Sequence, residues 1–251
     1  MAVRVAEGIT WVEGSRTNCY IVEDGADVCL VDTGYPGDFE RIVAALRMLG
    51  RGPGDISAVL LTHGHVDHLG SAERLRTEHD AAVHAHQAEA AQVRGEIEER
   101  ISNGYMITHL WWPKMLSFLW NVVTAGALKV EHVRELTTFG SASSPLDLPG
   151  APVPVFTPGH TSGHCGFHFP ERGALITGDA LVTHDSLTHA AGPRLLNDAF
   201  NHDQRQAVTS VEAFRTLEAD VILPGHGPPF HGAPGDAVAQ AMAALAASSG
   251  A

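Results

Sequence analysis

Apolar residues along this chain change period several times. "ITWVEG", "NCYIVED" and "DVCLVDTG", within residues 9–34, are short runs split by glycine and charged residues, the pattern of three strands. "GDFERIVAALRMLG" then shifts to helical spacing, with Ile42, Val43, Leu46 and Leu49 on one face and Gly50 as its stop. "ISAVLLTHG" is a continuous apolar run, the mark of a buried strand ending at Thr62. Residues 67–78 read as a helix, "AAVHAH" as a strand and "QAEAAQVRGEIEER" as a helix.

A second series begins near Pro149 with the strands "APVPVFTPGH", "HCGFHFP" and "GALITGD". "HDQRQAVTSVEAFRTLEAD" follows as a helix, with Ala207, Val208, Val211, Phe214 and Leu217 at helical spacing and Asp203 as its cap. "VILPGHG" is a strand, and an alanine-rich helix from about Gly235 closes the chain. Strands followed by helices in both halves predict an α+β fold: two sheets packed together with helices outside, a four-layer αββα sandwich. One domain is expected over 1–251, carrying a hydrophobic helical insertion at about 101–130.

Composition adds limits. The chain has 251 residues, 44% hydrophobic and 18% charged, enough for one sizeable core. Its net charge of -13 repels phosphate backbones, which excludes nucleic acid as the expected partner in favour of a small molecule. Cys19, Cys29 and Cys165 have no zinc-like spacing, and such sparse cysteine fits a reducing compartment. "MAVRVAEGITWVEG" lacks the pattern of a signal peptide, so a cytoplasmic location is expected. The anomaly is histidine: there are 16, as many as lysine and arginine together.

Three of those histidines and an aspartate crowd into "HGHVDH", residues 63–68, between a buried strand and a helix. In extended backbone, residues two apart point the same way, so His63 and His65 can reach one metal ion. Asp67 and His68 lie at the turn into the helix and aim elsewhere, at a second ion. Three further candidates share one context, a short apolar strand with a polar tip: His160 in "FTPGHTSGH", Asp179 in "LITGDAL" and His226 in "ILPGHGPP". Each strand end brings one donor to a rim of the sheets.

From "LVDTG" to "PGHG" the sequence resembles the metallo-β-lactamase-fold hydrolase superfamily, with its motifs complete and in order. The resemblance implies an αββα sandwich with a two-metal site at one edge. His63, His65 and His160 would hold the first ion, Asp67, His68 and His226 the second, and Asp179 would bridge them. Zinc is the first expectation for the two divalent ions, with iron or manganese as alternatives. Asp32, in "VCLVDTG", would accept a hydrogen bond from a ligand histidine and orient it. The implied chemistry is hydrolysis by water activated to hydroxide, with Asp67 as the catalytic group moving its proton. Iron on the same ligands would suit a sulfur dioxygenase-type or diiron redox enzyme instead.

Within that resemblance, the aspartate in "TGD" points away from true β-lactamases and toward the branch of thioester, lactone, phosphodiester and related hydrolases. The chain departs from glyoxalase II where "ALVTHDSLTH" follows the Gly-Asp pair, and from lactonases where Thr183 stands near the expected tyrosine. The insertion "NGYMITHLWWPKMLSFLWNVVTAGAL" holds Trp111, Trp112 and Trp120. Its apolar stretch from Met115 to Leu128 falls short of the ~20 residues of a bilayer crossing. It is expected to pack on the core, to form a homodimer interface, or to serve as a lid whose tryptophans touch substrate. His184 and His189 are further candidates for substrate contact.

Overall fold

The computed structural model describes residues 1–99, 111–141, 144–185 and 188–249. Seven strands form the first sheet in sequence order: β1 (Ala2–Ala6), β2 (Ile9–Glu13), β3 (Asn18–Asp24), β4 (Asp27–Val31), β5 (Ile56–Leu60), β6 (Ala82–His86) and β7 (Thr137–Phe139). Strands β1 to β4 form an antiparallel meander, and β4 to β7 run parallel. The second sheet has five strands in the order β14 (Phe230–His231), β13 (Val221–Pro224), β10 (Ala174–Gly178), β9 (Cys165–Phe169) and β8 (Val153–Phe156). A two-stranded ribbon pairs β11 (Val182–His184) with β12 (Ala191–Arg194).

Burial follows the period of two. In β3, Cys19 and Ile21 face helices, while Tyr20 and Val22 face the other sheet. In β4, Val28 and Leu30 take the helix side and Cys29 and Val31 the sheet side. The second sheet repeats the scheme, with Ile176 and Leu223 facing inward and Leu175 and Ile222 outward. A strand buried on both faces has no polar alternate position, so these strands read as continuous apolar runs. The three cores separate four layers. Helices α1 (Phe39–Met48), α2 (Val66–Leu69), α3 (Ala72–His79) and α4 (Ala90–Val93) follow strands of the first sheet. Helix α5 (Pro113–Thr124) lies within the insertion, and α6 (Gln204–Ser210) and α7 (Pro234–Ser249) belong to the second half of the chain. The predicted αββα sandwich is the observed fold.

Three predicted helices are shorter than their spacing suggested. The helix expected at 67–78 breaks at Gly70 and Ser71, because the Gly70 N–H turns away to the Gly34 carbonyl at 2.9 Å and the Ser71 N–H to Thr33 Oγ1 at 3.0 Å. The one expected from Gln87 begins as a 3-10 turn over Gln87–Glu89 and ends after Val93, before Gly95 at φ 70°. The one expected over 202–220 passes into a 3-10 turn at Val211–Phe214. Strands β1, β7, β11, β12 and β14 were not foreseen. They are edge or ribbon strands of two to five residues, too short to show a period.

Of the insertion, residues 100–110 lie outside the described residues. In the remainder, helix α5 is seated by buried Met115 and by Ala125, whose carbonyl accepts the Gly37 N–H at 2.9 Å. Leu116, Trp120, Val123 and Leu128 are exposed. Among the described residues no helix is long and apolar enough to cross a membrane. The three cysteines are all buried and free.

Phe167 sits in the inter-sheet core with no exposed surface. Phe167→Ala is expected to destabilise the fold by about 3–5 kcal/mol, read from the midpoint of chemical denaturation.

Candidate metal centre

Strand direction brings the candidate residues together. Strands β4 and β5 are parallel, as are β10 and β13, and β8 runs with β10 because both are antiparallel to β9. Asp32, His63, His160, Asp179 and His226 therefore follow the carboxyl ends of five strands, gathered at one rim. Two cross-sheet ties fix it: the Thr62 carbonyl accepts from Cys165 N at 2.9 Å, and Pro224 accepts from Tyr20 Oη at 2.6 Å.

The seven predicted ligands form one cluster. Nε2 of His63 and Nε2 of His160 lie 3.1 and 2.9 Å from Nδ1 of His65. Asp67 Oδ2 is 3.8 Å from His68 Nε2 and 3.6 Å from His226 Nε2. Asp179 stands between: its Oδ2 is 3.0 Å from His226 Nε2 and 3.5 Å from His160 Nε2, while its Oδ1 is 3.5 Å from His68 Nε2. Only glycine fits beside it at position 225, where a Cβ would come within 2.1 Å of Asp179 Oδ1.

The outer nitrogen of each ring settles its tautomer, because each partner can accept. His68 Nδ1–H donates to Asp32 Oδ2 at 2.8 Å. His226 Nδ1–H donates to the Arg16 carbonyl at 2.5 Å, His65 Nε2–H to the Glu99 carbonyl at 2.5 Å, and His160 Nδ1–H to Asn201 Oδ1 at 3.0 Å. Thr62 spends its hydroxyl proton on Asp32 Oδ2 at 2.7 Å, so it accepts from His63 Nδ1–H at 2.9 Å. With the outer nitrogen of each ring donating, the five inner nitrogens face one another and two carboxylates, as lone pairs wherever the ring is neutral. His68 Nε2 and Asp179 Oδ1 are buried without a hydrogen-bond partner. Orphaned polar atoms in a dry interior are costly, and a cation satisfies them all at once. Three groups of donors lie close enough for an ion: His63, His65 and His160; Asp67, His68 and His226; and His63, His68 and Asp179.

The same geometry shifts the titrations. Burial would lower His68 and His226, but Asp179 and Asp67 outweigh it and push them up to about 10 and about 9. Burial and the surrounding imidazoles hold His63 and His160 well below the ordinary range. Burial would raise the Asp179 carboxyl, yet His226 and His68 keep it well below.

Apart from Asp32, sequence reading missed the groups that support these residues. His164, buried and pushed down to about 3 by burial, accepts the Asp179 N–H at 3.0 Å through Nε2 and donates from Nδ1 to Thr157 Oγ1. Its position four residues after His160 in "HTSGH" was the available signal. Glu89, Glu99 and Asn201 carried no motif. A cavity of about 200 Å³ opens above the centre, floored by His65, Asp67, His160, Asp179 and His226. Its apolar walls are Tyr35, Val66, Ile97, Leu196 and Phe200.

The expected substrate-contacting residues are not in that wall. Helix α5 buries Met115 and turns Trp120 outward at 70% exposure, and Trp111 and Trp112 precede it at the surface. His184, at the end of β11 beside Gly227, and His189, in the connection to β12, have ring centres 5.9 Å apart. They too are absent from the lining.

An αββα sandwich with a histidine and aspartate centre on its rim defines a class of metal-binding proteins. The family model of the metallo-beta-lactamase superfamily matches residues 12–226, and the chain belongs to that superfamily, whose members include metallo-hydrolases. It is 28% identical over 208 residues to the probable metallo-hydrolase YybB of Bacillus subtilis (strain 168), across 83% of this chain and 79% of that one. To the probable metallo-hydrolase YflN of the same organism it is 27% identical over 247 residues, across 90% and 86%. A metallo-beta-lactamase family protein from Thermus thermophilus shares the fold, with a TM-score of 0.67 and 22% identity over 96% of this chain and 80% of that one.

Two outcomes are expected here. Asp32→Asn keeps one acceptor oxygen but turns the other into an NH2 group that must face a donor, either Thr62 N–H or the pair Thr62 Oγ1 and His68 Nδ1–H, and metal affinity should fall by about 10- to 100-fold in a chelator competition. Binding must also displace the protons that His68 and His226 retain below about 10 and about 9. Affinity should therefore rise with pH through neutrality and fall in acid, and titration calorimetry in buffers of different ionisation enthalpy should register proton release.

Proposed function

We propose that this chain is a hydrolase with two divalent metal ions, zinc by preference, cleaving an ester, lactone or thioester of a small, partly apolar substrate. One observation carries the reading. Five imidazoles, each held by its outer nitrogen, and two carboxylates turn their inner atoms into a single cluster beneath a cavity. His63, His65 and His160 would hold one ion and Asp67, His68 and His226 the other, with Asp179 between them. Divalent ions there supply Lewis acidity, lowering the pKa of water to about 7 and drawing charge from a carbonyl oxygen.

The chain's own residues supply the rest. Asp179, 4% exposed and fastened at its backbone by His164, is suited to a fixed bridge. Asp67, with 19% of its side chain exposed, lines the cavity and can exchange protons with entering solvent. That difference is our reason for assigning Asp67 the proton-transfer role. Tyr35, Val66, Ile97, Leu196 and Phe200 would seat an acyl or aromatic group and exclude water from the scissile bond. Nitrogen and carboxylate donors also suit iron, so metal content is part of the test.

Protein purified without chelator should contain close to two metal ions per chain by elemental analysis. It should hydrolyse members of a panel of activated esters, lactones and thioesters. Asp67→Ala and His160→Ala should lower kcat by at least about 100-fold with unchanged far-ultraviolet circular dichroism. Less than one ion per chain, with no gain on adding zinc, refutes the proposal.

A further inference from the structure

We infer that Glu89 is a positioning residue for the three-histidine group, tying together the two loops that carry His63, His65 and His160. The inference rests on the metal-centre reading above. Glu89 ends the 3-10 turn after β6 and is 1% exposed. Its Oε1 accepts the N–H of Gly64, the residue between His63 and His65, at 2.8 Å. Its Oε2 accepts Thr161 Oγ1 at 2.9 Å and Gly163 N–H at 2.8 Å, just beyond His160. One carboxylate thus sets the distance between a loop of the first sheet and a loop of the second.

Glu99, ten positions on (99 − 89), works on the same tripeptide. Its carboxylate accepts Ser162 N–H at 2.7 Å and Ser162 Oγ at 2.8 Å, and its carbonyl accepts His65 Nε2–H at 2.5 Å. Residues 87–99 therefore grip Thr161, Ser162 and Gly163 from one side and hold His65 from the other.

The join has little slack. A Cβ at position 163 would lie 2.3 Å from Glu89 N, and one at position 64 would lie 2.6 Å from Gln92 Cγ. Each Glu89 donor is a neutral group, so the carboxylate's charge is not cancelled within these bonds. Glu89 touches no ligand side chain in these contacts and acts through the Gly64 and Gly163 amides and the Thr161 hydroxyl. Losing it should let the two loops drift apart, separating His160 Nε2 from His65 Nδ1, which now stand 2.9 Å apart.

The test uses the full chain in a His226→Ala background, which cripples the second group and leaves the three histidines as the stronger zinc site. Zinc affinity by chelator competition is measured for this parent and for parents carrying Glu89→Ala, Glu89→Gln or Thr161→Val. The d–d absorption of the cobalt-substituted forms and the melting temperature of the metal-free forms are recorded alongside. Glu89→Ala should weaken zinc by about 10- to 100-fold and alter the cobalt spectrum. Glu89→Gln retains one acceptor oxygen and should recover part of the loss. Thr161→Val removes one donor without changing charge, so it carries the test if Glu89→Ala does not fold, with a loss of about threefold expected. Zinc affinity within twofold of the parent and an unchanged cobalt spectrum would overturn the inference, even with a lowered metal-free melting temperature, because Glu89 would then only stabilise the fold. A parent that takes up no zinc overturns the metal centre itself and this inference with it.

Discussion

The carboxylate of Asp32 is the contact on which the centre depends. It accepts from Thr62 N–H, Thr62 Oγ1 and His68 Nδ1–H, and through Thr62 it also fixes His63. Asp32 reaches this position from a left-handed backbone, φ 57°, immediately beyond β4. Aspartate tolerates that conformation better than most side-chain-bearing residues. The turn it makes folds its side chain back over the end of β5, the neighbouring parallel strand. Two strand ends and two rings are thus aligned by one buried group.

Electrostatics explains why such a cluster persists in a protein interior. Bare imidazole nitrogens and carboxylate oxygens in close array repel, and burial removes the water that would screen them. The chain keeps them together with second contacts: a carbonyl, an amide oxygen, a hydroxyl or a carboxylate behind each ring. A cation satisfies these inner atoms together. The protonation of His68 and His226 forced by Asp179 and Asp67 expresses the same demand, with protons standing where metal would stand.

Much of this was legible in the sequence, for identifiable reasons. Strands buried on both faces, such as "VCLV" and "ISAVLL", carry unbroken apolar runs that end at their polar tips, so the strand ends and His63, His160, Asp179 and His226 could be read directly. Helix lengths could not, because Gly70 N–H and Ser71 N–H are drawn to Gly34 and Thr33, long-range partners that periodicity does not register. The supporting groups were hidden for a similar reason. Glu89 meets Gly163 across 74 positions and Asn201 meets His160 across 41. The choice among core packing, interface and lid for the apolar insertion was not legible, because spacing does not say which face of helix α5 turns inward; Met115 takes the inner side and Trp120 the outer.

The donor atoms come from residues spread between 63 and 226 and from both sheets. A zinc finger can gather its ligands within one short loop, but here no half of the chain contains a complete set. The full donor set exists only where the two sheets are docked face to face, an arrangement held by residues distant in sequence. Metal capture is thereby a check on finished architecture: a chain with misaligned sheets offers only the local histidines of "HGHVDH". An ion that prefers the whole set would shift the folding equilibrium toward completed molecules by mass action.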